Sequence, residues 1–145
     1  MTISPTIWFH FEKRIGLKDR QIVKTTLLAL FKKEKKKLAE LRYVFVPDKR
    51  LLEINREFLQ HDFYTDVITF PLSGPGQPIV GEIYISVDRV RENAREFGST
   101  IKKELLRVIF HGALHLCGYG DKTEAEEEKM RQMEEKYLDL HERST

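Results

Sequence analysis

The class of the fold follows from residues 67–86, which read VITFPLSGPGQPIVGEIYIS. Two short runs rich in β-branched and aromatic residues, 67–70 and 79–86, flank a loop that holds three prolines and two glycines. Runs of this composition on either side of turn-forming residues are typical of neighbouring antiparallel strands. The sequence therefore predicts a strand pair here, and the chain beyond it has helical spacing throughout.

Outward from this pair, the spacing of apolar residues predicts about four strands and about five helices. Apolar residues cluster or alternate over short runs in strands and recur every three to four residues in helices. The predicted strands are residues 2–11, 41–46, 67–70 and 79–86, and the predicted helices are residues 19–38, 49–59, 89–97, 101–117 and 123–140. Adjacent strands followed only by helices favour a mixed sheet covered by helices, which is an α+β fold.

The composition narrows the class of protein further. The chain has 145 residues and one cysteine, and it lacks the roughly 18-residue apolar run of a membrane span. We therefore expect a single domain over residues 1–145, with a core that needs no disulfide and with no membrane partner. A lone cysteine and a start without the charged-then-apolar pattern of a secretion signal predict a cytoplasmic protein.

Positive charge is concentrated near the start of the chain. Residues 1–50 hold 13 of the 25 Lys and Arg residues but only 5 of the 23 Asp and Glu residues. The densest part is residues 32–37, KKEKKK. Such a cluster either attracts a polyanion such as nucleic acid or forms a solvated helix end, because lysine favours helix C-termini.

The most informative chemical motif is residues 110–121, FHGALHLCGYGD. His111 and His115 stand four residues apart in a helical context, and four residues turn a helix by about 400°. Both imidazoles then project from one face, and the glycines that follow allow the chain to double back and bring Asp121 to them. Two histidines and one carboxylate leave a coordination position open, as in the zincin-like metal-site helix of a catalytic zinc site.

Other interpretations of this motif stay open. A histidine pair at this spacing also arises by chance, with each imidazole hydrogen-bonded to its neighbours, although the turn and Asp121 favour a metal. Zinc leads, but imidazole also suits nickel, copper, iron and manganese. Cys117 lies about 200° around the helix from His115, so we expect it in the core. Metzincin proteases have a glutamate where this chain has Gly112, and its absence favours another hydrolase, such as one acting on phosphodiesters.

Three motifs together resemble the YbeY family of rRNA maturation factors. Residues 111–121 are similar to the family signature HGxLHLxGYDH, residues 55–71 to NxxYRxKDxPTDVLSFP, and residues 81–85 to GDIxI. The resemblance implies a cytoplasmic, metal-dependent endoribonuclease that cuts single-stranded RNA. It also implies a role in maturing the 3′ end of small-subunit (16S) rRNA and in ribosome quality control, with rRNA and the small ribosomal subunit as partners.

The chain departs from this family at two places. The resemblance implies one Zn²⁺ per chain held by three histidines, but here the third position is Asp121, which lowers the metal's effective charge and its power to acidify water. The family's arginine aligns with Leu59 and its lysine with His61. Leucine cannot bind phosphate as arginine does, so Arg56, one helical turn earlier, and His61 become candidate catalytic residues.

The remaining candidates concern RNA contact and the loop before the third strand. The resemblance gives weight to Lys35, Lys36 and Lys37 as RNA-binding residues. Asp62 and Asp66 could orient groups near the metal, or Thr65 and Asp66 could fix the turn into the strand that begins at Val67, and we favour the turn. Neither the general base nor the oligomeric state follows from the sequence.

Two further functions compete with the endoribonuclease. A non-catalytic, metal-stabilised ribosome-assembly factor is favoured by the loss of the family arginine to Leu59. A small metalloprotease is disfavoured by Gly112, because no local carboxylate accepts a proton there.

Overall fold

A computed structural model describes residues 4–145 and confirms the predicted α+β class. The strands are β1 (Thr6–Phe11), β2 (Leu38–Val46), β3 (Val67–Pro71) and β4 (Ile79–Ser86), and the helices are α1 (Arg20–Lys33), α2 (Asp48–Leu59), α3 (Val87–Glu96), α4 (Ile101–Leu116) and α5 (Glu124–Arg143). The first strand was predicted over residues 2–11, of which residues 2 and 3 lie outside the described part. Within residues 4–145, no helix is both long enough and apolar enough to cross a membrane.

The four strands form one mixed sheet in the order β1-β2-β4-β3. Strands β1, β2 and β4 run parallel, and β3 runs antiparallel to β4, with Thr69 opposite Ile83. The strand pair predicted from residues 67–86 is thus confirmed. The parallel pairs need long crossover connections, which α1 supplies between β1 and β2, and which α2 and β3 supply between β2 and β4.

The prediction of a helix over residues 19–38 was wrong at its C-terminal end. Helix α1 ends at Lys33, because Lys35 has a φ of 59° and a left-handed residue cannot continue a right-handed helix. The N–H of Lys36 donates to the carbonyl of Phe31 at 2.9 Å, which closes the helix in a Schellman motif. Strand β2 then begins at Leu38 instead of residue 41, so residues 35–37 lie in a connection and not on a helix.

Helix α4 lies in the main core against one face of the sheet. Strand β2 alternates, with Tyr43 and Phe45 in this core and Val44 in a smaller cluster on the other face, with residues of α2. The hydroxyl of Tyr43 donates to the carbonyl of Ile109 at 2.7 Å, which ties α4 to the sheet. A Cβ at Gly112 would lie 2.9 Å from side-chain atoms of Ile83, so glycine permits this close approach.

Candidate metal centre

Two imidazoles project from the C-terminal half of α4. The rings of His111 and His115 have centroids 4.5 Å apart and are nearly perpendicular, at 87°. Their positions four residues apart on one helix produce this proximity. The helix therefore presents two nitrogen ligands side by side, as the spacing predicts.

The turn after α4 brings an oxygen ligand to the histidines. Gly118 has a φ of 107°, and the N–H of Tyr119 donates to the carbonyl of Leu114 at 3.1 Å, so the chain reverses at once. Asp121 Oδ2 then lies 3.4 Å from His111 Nε2 and 3.2 Å from His115 Nε2. One ligand atom from each of the three residues lies within 4.8 Å of the others. The predicted approach of Asp121 to the two histidines is confirmed.

The outer nitrogens of both rings have partners that orient the inner ones. His115 Nδ1 lies 2.8 Å from the carbonyl oxygen of Tyr119, and His111 Nδ1 lies 2.6 Å from Glu134 Oε2. Both partners accept hydrogen bonds, so each Nδ1 carries the hydrogen and each Nε2 presents its lone pair. Two lone pairs and the Asp121 carboxylate thus face one point, and a cation there would satisfy all three. This donor set fits a divalent metal.

Two buried carboxylates, joined by the partly buried Arg107, hold each other in place beside His111. Arg107 Nη1 donates to Glu134 at 3.2 Å, and Arg107 Nη2 donates to both oxygens of Glu104 at 2.5 and 2.6 Å. Glu104 is 1% exposed and Glu134 is 3% exposed. Removing one member of such a buried group leaves an uncompensated charge, which is strongly destabilising. The series of contacts from Glu104 through Arg107 to Glu134 therefore fixes the ring of His111.

The same contacts shift the pKa of the groups involved. Burial of the His111 ring lowers its pKa, but the hydrogen bond to Glu134 and the negative charge of that residue outweigh burial, so the pKa of His111 is raised. Burial also raises the pKa of Glu104, against the lowering effect of Arg107. The negative charge of Glu134 therefore favours positive charge at the ring of His111.

A cavity of about 310 Å³ opens on one side of the metal centre. Its lining includes His111, Asp121, Asp66 and Arg131. The backbone carbonyl of Asp66 accepts a hydrogen bond from the N–H of Ser86 at 2.9 Å, next to the pairing of Val67 with Ile85 between β3 and β4. Asp66 thus fixes the chain through its backbone and also borders the centre.

A larger groove, of about 500 Å³, opens on the other side. Its lining includes His115, Leu59, His61, Phe63 and Lys122. The position that aligns with the family arginine therefore borders the site, and in this chain it offers a leucine. His61, the aligned lysine position, also borders the groove.

The other candidate catalytic residue, Arg56, pairs with a carboxylate outside the groove. Arg56 forms an ion pair with Asp62 at the surface, and it is not among the residues that line the groove. The carboxylate of Asp62 is therefore paired with Arg56. Of the two candidate catalytic residues, His61 lines the groove and Arg56 does not.

The three lysines lie along a neighbouring depression. Lys35, Lys36 and Lys37 are exposed and line it together with the loop between β3 and β4. Leu116 and Pro71 line both this depression and the groove beside His115. The lysines and the metal centre therefore belong to one continuous surface.

The remaining cysteine, histidine and acidic residues considered above lie outside the metal centre. Cys117 is buried in the main core, and burial, followed by the charge of Glu34, raises its pKa to about 12. His141 is buried beside Thr26, and His10 is exposed. Residues 124–128 begin α5, where Thr123 and Glu126 form a capping box. The core position predicted for Cys117 is confirmed.

Sequence reasoning missed the groups that support the centre, namely Glu104, Arg107 and Glu134, and also missed Lys122. Glu134 stands in a helix rich in acidic residues, but it falls on the buried stripe with Met130, Met133, Tyr137 and Leu138. A carboxylate on the apolar stripe of a helix is unusual and marks a buried partner. That pattern was the available signal.

Several known proteins are similar to this chain in sequence, and one solved structure is similar in fold. A family model described as Endoribonuclease YbeY matches residues 10–142. The Endoribonuclease YbeY of Cytophaga hutchinsonii is 48% identical over 136 residues, which cover 93% of this chain and 95% of that protein. The Endoribonuclease YbeY of Flavobacterium psychrophilum is 42% identical, covering 92% of this chain and 95% of that protein. The solution structure of TM1509 from Thermotoga maritima has a TM-score of 0.64 at 32% identity, covering 94% of this chain and 88% of that one.

Proposed function

Because the chain belongs to the YbeY family of endoribonucleases, we propose that it cuts single-stranded RNA with a zinc ion held by His111, His115 and Asp121. The family makes the protein an RNA-cleaving hydrolase with a part in rRNA processing. Our finer assignment is maturation of the 3′ end of small-subunit rRNA and quality control on the small ribosomal subunit. We place this work in the cytoplasm and assign it to residues 1–145 as one domain.

The observation that carries the proposal is the convergence of three acceptor atoms on one point. Asp121 Oδ2 lies 3.4 Å from His111 Nε2 and 3.2 Å from His115 Nε2, and both Nδ1 atoms are already engaged. Two imidazoles and a carboxylate are a ligand set that zinc accepts, with a coordination position left open. When bound, a divalent metal would supply a Lewis acid for the scissile phosphate and would make water more acidic.

The residues around the centre would position the RNA. Lys122 and His61 line the groove next to His115, so their side chains would meet the strand's phosphates. Lys35, Lys36 and Lys37 extend this positive surface past Leu116, and a single strand that leaves the groove along them would keep its backbone near positive charge. Arg56 is committed to Asp62, so His61 is the better-placed of the two candidate catalytic residues.

A second function is supported by the same groove. Leu59 stands where the family has an arginine, so the groove lacks a bidentate phosphate ligand at that point. This departure favours a metal-stabilised assembly factor that docks to rRNA without cutting it. A protease is disfavoured because Gly112 stands where metzincins carry their general-base glutamate, and a Cβ at this position would already lie 2.9 Å from side-chain atoms of Ile83.

The test uses tag-free, zinc-loaded protein and three substrates: a single-stranded RNA, the same RNA in a duplex, and casein. We expect cleavage of the single strand alone, and we expect a chelator to abolish it and added zinc to restore it. Stoichiometric zinc with no RNA cleavage would support the assembly factor instead. Cleavage that persists in chelator would contradict the metal-dependent mechanism.

A further inference from the structure

An aromatic ring is held in solvent at the edge of the groove. The ring of Phe63 is 55% exposed, yet its backbone is fixed, because the buried side chain of Asn55 donates to the carbonyl of Phe63 at 2.9 Å. The carbonyl of Asn55 in turn accepts from the N–H of His61 at 3.1 Å. One buried residue thus holds the loop at two points, so the exposure of Phe63 is built into the fold.

The ring of His61 extends this flat surface. His61 and Phe63 stack with centroids 5.1 Å apart and an angle of 20° between their planes. Both residues line the groove of about 500 Å³ that reaches His115 and Lys122. The volume lies within the usual range of ligand pockets, about 300 to 1,000 Å³.

Two other exposed aromatic residues nearby have contacts within the protein. Phe58 packs edge-on against Phe70 with centroids 6.1 Å apart. The guanidinium of Arg89 lies 4.7 Å from the centre of the Tyr64 ring. Phe63 differs from both, because its stacking partner is a second exposed ring that borders the same groove.

We propose that this groove binds one unstacked nucleobase of the RNA substrate, with the ring of Phe63 as the stacking platform. The inference rests on the proposed endoribonuclease function and adds a base-binding subsite to it. Every base has a flat face, so stacking on an aromatic side chain binds single strands with little sequence preference. In a duplex the base is already stacked and paired, so this subsite disfavours duplex RNA. Lys122 lines the same groove and would meet a phosphate next to the bound base.

The test is a kinetic cycle between the base and the ring. A set of single-stranded RNAs carries one abasic nucleotide at each position around the cut, and kcat/KM is measured for wild type and for Phe63→Ala. In wild type we expect one abasic position to lower kcat/KM by about 10-fold or more, and in Phe63→Ala the same position should matter less than about 2-fold. Phe63→Trp should restore the full penalty, because it restores a flat ring.

Phe97→Ala is the matched control. Phe97 is 65% exposed at the C-terminal end of α3 and does not line the groove, so this variant should behave as wild type at every abasic position. An abasic penalty of the same size in wild type and Phe63→Ala would overturn the subsite while leaving the endoribonuclease function intact. Failure of wild type to cleave the intact RNA would overturn both proposals.

Discussion

The two sides of the centre are built differently. On the metal side, His111 depends on Glu134 and Glu104, which are 3% and 1% exposed and joined through Arg107. On the RNA side, Leu59 and Phe63 are 40% and 55% exposed and lie at or just beyond the end of α2. Buried ion pairs respond strongly to the loss of one partner, whereas exposed groups act almost independently. Changes on the metal side should therefore have large effects and those on the RNA side small ones.

The largest expected effect comes from breaking the metal side at Glu134. Glu134→Gln keeps the size of the side chain but removes the negative charge that holds the Nδ1 hydrogen of His111. Loss of such an outer partner weakens metal binding by about 10- to 100-fold. Competition against a zinc chelator of known affinity measures the change.

Glu135→Gln is the matched control for this prediction, because Glu135 is the exposed neighbour on the same helix. It should bind zinc as wild type does. Equal zinc affinity in the Glu134 and Glu135 variants would show that the buried carboxylates do not support the centre.

The next effect concerns the positive surface on the RNA side. Replacing Lys35, Lys36 and Lys37 together by glutamine should weaken binding of single-stranded RNA and flatten its salt dependence. Each lost phosphate contact lowers the slope of log affinity against log salt by about 0.7 for single strands, so three contacts give about 2. Filter binding over a series of salt concentrations measures the slope.

Lys102→Gln with Lys103→Gln provides the comparison, because these lysines lie in the first turn of α4, at the opposite end from His115. This pair should leave the slope unchanged. If both sets of lysines flatten the slope equally per residue, the surface beside the groove has no special part in RNA binding.

The metal side also shows what a single sequence can predict. The two histidines, the turn at Gly118 and the approach of Asp121 depend on residues within one stretch of chain, so their spacing carries the geometry. Glu134 meets His111 only after α5 packs on α4, and that packing is set by tertiary contacts. The position of Glu134 on the buried stripe of α5 indicates that it has a buried partner, but it does not identify His111 as that partner.

At the lysine cluster, the sequence predicted too long a helix. Residues 32–37 consist of helix-favouring residues, and propensity alone extends α1 through them. Glu34 instead accepts hydrogen bonds from Tyr119 and Tyr137 at 2.6 and 2.5 Å, and Lys35 takes the left-handed conformation. The contacts of Glu34 and the left-handed conformation of Lys35 therefore end α1 where helix propensity alone would continue it. The strand order and the crossovers around it were likewise beyond the local pattern.

A gain of function tests the RNA side directly at Leu59. Leu59→Arg restores the family's guanidinium at a position that lines the groove, and we expect RNA affinity to rise by about 5-fold, the upper range for a partly exposed ion pair. Leu59→Gln, which is polar but uncharged, should show no gain. Tighter binding without faster cleavage would assign the arginine to binding alone, and no change in either would separate position 59 from the RNA path.

The smallest expected effect concerns His141, a buried histidine that forms no hydrogen bond to a carboxylate within residues 4–145. His141 Nδ1 lies 3.2 Å from the hydroxyl of Thr26, and burial, followed by the charge of Lys102, lowers the pKa of His141 below its usual 6.5. Its contribution to stability is therefore present above about pH 6.5 and is lost as the pH falls through the lowered pKa. The melting temperature of wild type should fall more than that of His141→Gln between pH 7.5 and 5, while His10→Gln should follow wild type.

His111 is present in all three proteins, so its contribution to the pH dependence cancels in the differences. A His141→Gln profile parallel to that of wild type would show that burial of His141 has no influence on acid stability.

The most direct test of the central claim is to count zinc in tag-free protein by elemental mass spectrometry and to assay the same samples on single-stranded RNA. Wild type is compared with the His111→Ala/His115→Ala double variant. We predict close to one zinc per wild-type chain with RNA cleavage, and neither zinc nor cleavage in the folded double variant. Cleavage retained by the double variant, or a wild-type protein that binds no metal, would contradict the account.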